Sequence, residues 1–195
     1  MLDRARPYLP NWLSGLRLAL APVLLALAWL GTVDAFLAVL VLAFATDAAD
    51  GFLARRFGVV SEAGARLDSR ADLATWGVLP VSVWLLMPDF VEAELGWIAL
   101  LAATLVATLS VGFLRWGRMP SYHTWGAKAS SIALAFTLIA VLAGAPAWPV
   151  RLAAALAFVS MMEELAITAI LPRWRTDVPT LWHAAQLRAQ GARLG

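Results

Sequence analysis

The sequence predicts an all-α polytopic membrane protein with six transmembrane helices and both termini in the cytoplasm. Three observations carry that expectation. Of 195 residues, 62% are hydrophobic and only 14% are charged, against about 25% in an ordinary soluble domain. Apolar runs recur along the whole chain, each near the roughly 20 residues that cross a hydrocarbon core about 30 Å thick. Once those runs are laid end to end, nearly all lysines and arginines fall on one side. A single integral-membrane domain over residues 1–195 follows, with no length left for a soluble domain.

The opening residues, MLDRARPYLPNW, lack the apolar core and cleavage site of a secretory signal. With Arg4 and Arg6 beside Leu2, Tyr8, Leu9 and Trp12, residues 1–14 suit an interfacial segment on an anionic membrane surface, and a frayed polar tail fits them equally. Spans follow at roughly 15–31, 35–54, 66–87, 96–116, 126–144 and 150–171, each gap marked by Gly, Pro or acidic residues. The third is the least hydrophobic because it opens among carboxylates. LATWGVLPVSVWLLM completes it, and its Pro80 either kinks the helix or is accommodated by neighbours. The sixth carries Glu163 and Glu164, which point about 100° apart on a helix, so at most one faces a cavity squarely. The other would pair with a basic residue or lie at a subunit contact. Residues 173–195 read as a cytoplasmic tail, amphipathic or frayed.

Fourteen of the fifteen basic residues lie on one side: Arg4, Arg6, Arg17, Arg55, Arg56, Arg66, Arg70, Arg115, Arg118, Lys128, Arg173, Arg175, Arg188 and Arg193, against Arg151 alone on the other. The positive-inside rule makes that side cytoplasmic. Tryptophans such as Trp29, Trp97, Trp116, Trp125 and Trp148 sit near predicted helix ends, where aromatic belts form. There is no cysteine, which excludes disulfides, thiolate metal sites and cysteine nucleophiles. No nucleic-acid partner is expected; membrane lipids are.

Within DAADGFLARRFGVVSEAGARLDSRAD stand four carboxylates in two pairs: Asp47 with Asp50 at the end of the second span, Asp68 with Asp72 at the start of the third. Residues three or four apart share a helix face, so two helices would present four carboxylates to one another at the cytoplasmic boundary. Their mutual repulsion is relieved by protonation, by the nearby Arg55, Arg56, Arg66 and Arg70, or by divalent cations. Four hard oxygen ligands suit Mg²⁺ or Mn²⁺, with Ca²⁺ allowed by ligand type, and can bridge two ions about 3.5–4 Å apart, the spacing used for phosphoryl displacement. The bland alternative is a salt-bridged loop. Acids that directly follow an apolar run, as Asp47 and Asp50 follow FLAVLVLAFAT, favour function.

The run Asp47-x-x-Asp50-Gly51-x-x-Ala54-Arg55, then eight residues, Gly64-x-x-x-Asp68-x-x-x-Asp72 resembles the complete signature of the CDP-alcohol phosphotransferases, also called CDP-alcohol phosphatidyltransferases. These are six-helix membrane enzymes of phospholipid synthesis. The resemblance implies that Asp47, Asp50, Asp68 and Asp72 hold two divalent cations, Mg²⁺ or Mn²⁺. It implies that Asp47, Gly51, Ala54, Arg55, Gly64 and Asp68 receive the CDP part of the donor, usually CDP-diacylglycerol. Asp72 would also be the catalytic base, taking a proton from a small polar alcohol whose oxygen attacks the phosphorus next to the lipid as CMP leaves. A homodimer in a bacterial cytoplasmic membrane, with its active site facing the cytoplasm, is expected on the same ground.

The acceptor is sought outside the signature, where the clues conflict. Pro10-Asn11-x-Leu13-Ser14-x-x-Arg17 is similar to the opening of many members, including phosphatidylglycerophosphate and cardiolipin synthases. Arg17 would serve an acceptor phosphate or mark the helix end by snorkelling. In RWGRMPSYHTWGAK, Arg115, Arg118, His123 and Lys128 would suit glycerol 3-phosphate, or contact anionic lipid. Those features make glycerol 3-phosphate the expected acceptor. Yet LDSRADLATWGVLP lacks the Asp-Pro-x-x-Asp-Lys ending of glycerophosphate-type enzymes and is closer to the pattern of bacterial phosphatidylserine synthases. Serine, inositol phosphate and phosphatidylglycerol stay open. A cation transporter is the reading from another class, but secondary transporters bind near the midplane, whereas these acids gather at one face.

Overall fold

The computed structural model describes residues 9–57, 62–118, 120 and 122–191. Among them are eight helices and no strand: α1 Leu9–Trp29, α2 Val33–Phe57, α3 Glu62–Leu86, α4 Pro88–Ala93, α5 Leu95–Trp116, α6 Trp125–Leu142, α7 Trp148–Ile170 and α8 Leu181–Gly191. Most of the interfacial segment expected over 1–14 lies outside the described residues, and from Leu9 the chain is already helical. Pro10 falls in the first described turn of α1, where a missing N–H costs nothing.

Among the described residues four helices are long and apolar enough to cross a membrane: α1 over Asn11–Trp29, α5, α6 and α7. Where the second and third spans were expected stand α2 and α3, helices of 25 residues each that are not among those four. That is about 37 Å of helix at 1.5 Å per residue. They differ from the other four in carrying five charged residues apiece.

The chain divides into two compact units, Met1–Glu92 and Ala93–Gly195. In the first, α1 packs against both α2 and α3. Its buried positions, Ser14, Arg17, Ala21, Leu24 and Ala28, recur every three or four residues and form one stripe. The facing stripes are Phe36, Leu40, Ala43, Thr46 and Asp50 on α2, and Ala71, Thr75, Leu79, Ser82 and Val83 on α3. Small residues predominate, which lets helix axes approach closely where lipid removes any hydrophobic drive to associate. Thr46 spends its buried hydroxyl on the Ala43 carbonyl at 2.7 Å. The Phe44 and Trp76 rings, 5.8 Å apart, tie α2 to α3. Gly31, at φ 69°, ends α1 in a left-handed turn in which Thr32 donates back to the Leu27 carbonyl at 3.1 Å. The three helices therefore run up, down and up, which gathers the start of α1, the end of α2 and the start of α3.

In the second unit α7 packs against α5 and α6 through Ala153, Ala154, Ala157 and Ser160. Gly112 of α5 lies against the ring of Pro120, close enough that an added Cβ would stand 2.6 Å from Pro120 Cδ. Tyr122, Ile167, Leu171, Val178 and Ala184 form a buried cluster, and Tyr122 shares a 3.0 Å hydrogen bond with Thr168. The tail expected over 173–195 thus contains a docked helix, α8. Its first amide, Leu181 N–H, donates to Glu163 Oε1 at 2.9 Å.

Candidate active site

Asp47 and Asp50 lie one turn apart near the end of α2, and Asp68 and Asp72 one turn apart near the start of α3. The antiparallel run of those helices brings the pairs together. Carboxylate oxygens of Asp47, Asp50 and Asp68 all fall within 4.8 Å of one another. At such separations two ionised carboxylates repel by about 4 kcal/mol at an effective dielectric of 20. The arrangement therefore requires positive charge.

Arg17, from α1, supplies one such charge. Its guanidinium is 1% exposed and divides its fork between the two helices. Nη1 pairs with Asp47 and lies 3.4 Å from Asp50 Oδ2, while Nη2 pairs with Asp68 and lies 3.1 Å from Asp72 Oδ1. Each terminal nitrogen thus serves one carboxylate pair. Nε is buried and has no hydrogen-bond partner among the described residues. Ser14, one turn before Arg17, donates to Asp50 Oδ2 at 2.9 Å and fixes the one carboxylate of the four that is buried. The side chains of Asp47, Asp68 and Asp72 are 48%, 43% and 47% exposed, against 6% for Asp50, so the cluster has an anchored floor and an open rim.

Ser14 and Arg17 are where the structure adds most to the sequence. Arg17 was expected either beside an acceptor phosphate or at the helix end by snorkelling, and the structure sets it among the carboxylates. Ser14 carried no expected role. Its signal was the spacing of three residues from Arg17, which puts both on one face of α1.

The donor set fits divalent cations. It is all oxygen, it converges from two helices, and one guanidinium cannot balance four carboxylates. Gly51, Ala54 and Arg55 continue α2 beyond Asp50, but the surroundings of Gly51 and the side chains of Ala54 and Arg55 lie outside what the structure describes. Gly64 sits in α3 one turn before Asp68 and is partly buried.

The other basic candidates belong to the second unit. Arg115 donates to the Leu171 carbonyl at the end of α7 at 3.0 Å and lies over the Trp116 ring at 4.9 Å. Arg118 and Lys128 each lie 5.2 Å from an indole, of Trp174 and Trp125 respectively, a placement favourable for a cation. His123 is exposed and adopts φ 52°. Of the two glutamates in α7, Glu163 caps α8 and Glu164 is partly buried.

Compared with profiles of protein families, residues 7–170 match that of the CDP-alcohol phosphatidyltransferases. No curated protein and no solved structure matches the chain.

Proposed function

The chain belongs to the CDP-alcohol phosphatidyltransferase family, whose members are phosphotransferases, and from that premise we propose a specific reaction. The protein transfers a phosphatidyl group from CDP-diacylglycerol to a small polar alcohol, releasing CMP, in a divalent-cation-dependent step of phospholipid synthesis. The observation that carries this reading is the convergence of four carboxylates from α2 and α3, three of them half open to the outside.

Asp47, Asp50, Asp68 and Asp72 would hold two Mg²⁺ or Mn²⁺ ions. When bound, these supply positive charge against the negative charge that grows on the transferring phosphoryl group and on CMP. The chain's own groups do the rest. Ser14 holds Asp50 in one orientation. Asp72, on the open rim, accepts the proton of the acceptor hydroxyl as its oxygen bonds to phosphorus and the bond from phosphorus to the CMP oxygen breaks. Gly51, Ala54, Arg55 and Gly64, flanking the carboxylates in sequence, are assigned to the nucleotide. Glycerol 3-phosphate is the proposed acceptor, with Arg115, Arg118, His123 and Lys128 as candidate phosphate ligands.

The reading includes six spans, both termini cytoplasmic, and a homodimer in a bacterial cytoplasmic membrane. The lysine and arginine asymmetry supports the orientation. Labelling of single introduced cysteines, in a chain that has none of its own, reads the side of each loop. The deciding experiment for the reaction is CMP release from CDP-diacylglycerol by purified protein. Glycerol 3-phosphate, serine, inositol phosphate, inositol, choline and phosphatidylglycerol are offered in turn, with Mg²⁺, Mn²⁺ or chelator. Release is expected with one acceptor and is abolished by chelation. No release with any acceptor or with other CDP-linked donors would end the enzymatic reading.

A further inference from the structure

We propose that Arg17 is a built-in competitor of the divalent cations: its guanidinium holds the four carboxylates together, and cation binding has to displace it. The inference rests on the metal-dependent reading above and adds a residue that gates entry of the ions.

The two kinds of cation compete for the same carboxylates. Arg17 engages one oxygen of each, Oδ1 of Asp47, Asp68 and Asp72 and Oδ2 of Asp50, and Asp47, Asp50 and Asp68 are the residues whose carboxylate oxygens converge within 4.8 Å. A divalent ion held by that group would stand close to the guanidinium, which repels it and occupies half of the oxygens it could use. Arg17 cannot yield by losing its proton, because a guanidinium stays charged at every physiological pH. It has to move. The unpartnered Nε shows where the present placement is incomplete: four carboxylates are served by two terminal nitrogens, and the fifth donor of the fork is buried unused. A displaced fork offers all its donors to an incoming phosphate, which pairs well with arginine.

The consequence is an affinity penalty. A site that first has to be vacated binds more weakly, by the fraction of molecules in the vacated form. Removing the guanidinium should therefore do two opposite things. It strips the carboxylates of their counter-ion and destabilises the protein without metal, and it tightens the binding of metal. A purely structural arginine would lower stability under both conditions and leave the affinity for metal unchanged or weaker.

The test uses full-length protein in detergent and Mn²⁺ as the probe, with free Mn²⁺ counted by electron paramagnetic resonance. Arg17→Gln and Arg17→Met should bind Mn²⁺ about tenfold or more tightly than the unmodified protein, while unfolding at lower temperature in chelator. Arg17→Lys, which keeps the charge but cannot span both pairs, should fall between. Arginine labelled with ¹³C in the guanidinium marks all fourteen arginines, so the unmodified protein should show an infrared band shift on adding Mg²⁺ that Arg17→Lys, with the other thirteen intact, does not show; this comparison decides the matter even if the neutral variants do not fold. Unchanged or weaker Mn²⁺ binding in folded Arg17→Gln, or no band shift, overturns the proposal. If the unmodified protein binds no Mn²⁺ and releases no CMP, the metal-dependent reading itself falls. If it does both while the Arg17 variants titrate like it, only the role of Arg17 falls.

Discussion

Two arginines, one in each unit, meet carboxylates in opposite ways. Arg17 is buried and its four partners include three half-exposed side chains. Arg151 is 53% exposed and its partner Glu94 is buried, at 4%. Arg151 meets Glu94 through Nε at 2.9 and 3.1 Å and through Nη2 at 2.8 Å, a two-pronged pair. One cation facing one anion is complete, and such a pair has no charge left to offer a ligand. One cation facing four anions is not, and its surplus negative charge is turned to the open side. The difference teaches that an ion cluster in such an apolar chain signals chemistry when its charges fail to cancel, while a balanced pair reads as a fastener.

The largest effect expected from that contrast is at Asp72. Asp72→Asn keeps the side chain's shape and removes the proton acceptor, and CMP release should fall by about 10²–10⁴-fold with thermal unfolding little changed. A variant that retains full turnover would remove Asp72 from the base role and make the two ion clusters alike. At the balanced pair the prediction is reversed. Glu94→Gln should lower the unfolding midpoint by a few degrees and leave turnover per folded molecule unchanged. Adding Arg151→Met should recover part of the loss, since removing both partners spares the cost of an unmatched one. Loss of turnover in well-folded Glu94→Gln would break the comparison. The smallest effect is expected at Ser14→Ala, which frees Asp50 to rotate. Mn²⁺ binding followed by titration should weaken about 3–10-fold, the worth of one hydrogen bond to a charged group discounted for partial replacement by water. Unaltered binding would mean that the floor of the cluster needs no anchor.

Much of this was legible in the residues. Apolar runs located the long helices to within four positions at every end but one, because length and hydropathy are local properties; the exception is α1, helical from Leu9, six residues before the expected start. The pairing of Asp47 with Asp50 and of Asp68 with Asp72 followed from helical spacing alone. What spacing cannot supply is the rotation of a third helix against the first two. Arg17 meets the carboxylates because small residues at Ala21 and Ala28 and the hydroxyls and alanines of α2 and α3 decide which face of α1 turns inward. That depends on packing among three segments at once. The docking of helix α8 was not legible for a related reason. Its sequence, LWHAAQLRAQG, mixes apolar and polar residues without a strong apolar face, and its docking depends on Ala184 meeting a cluster assembled from Tyr122, Ile167, Leu171 and Val178.

The sequence separation within the Arg17 cluster also bears on how the chain enters the bilayer. Arg17 precedes Asp47 by 30 residues and Asp68 by 51, so it is synthesised before any of its partners. An arginine inside a span opposes insertion, by at most about 2.5–3.5 kcal/mol at the centre and less toward the boundary, a cost α1 meets from its leucines and by stretching the side chain toward the interface. The charge becomes an asset only when α2 arrives, and it is shared with the second carboxylate pair only when α3 does. For this protein the order of synthesis is also an order of neutralisation, in which the first helix waits for the third.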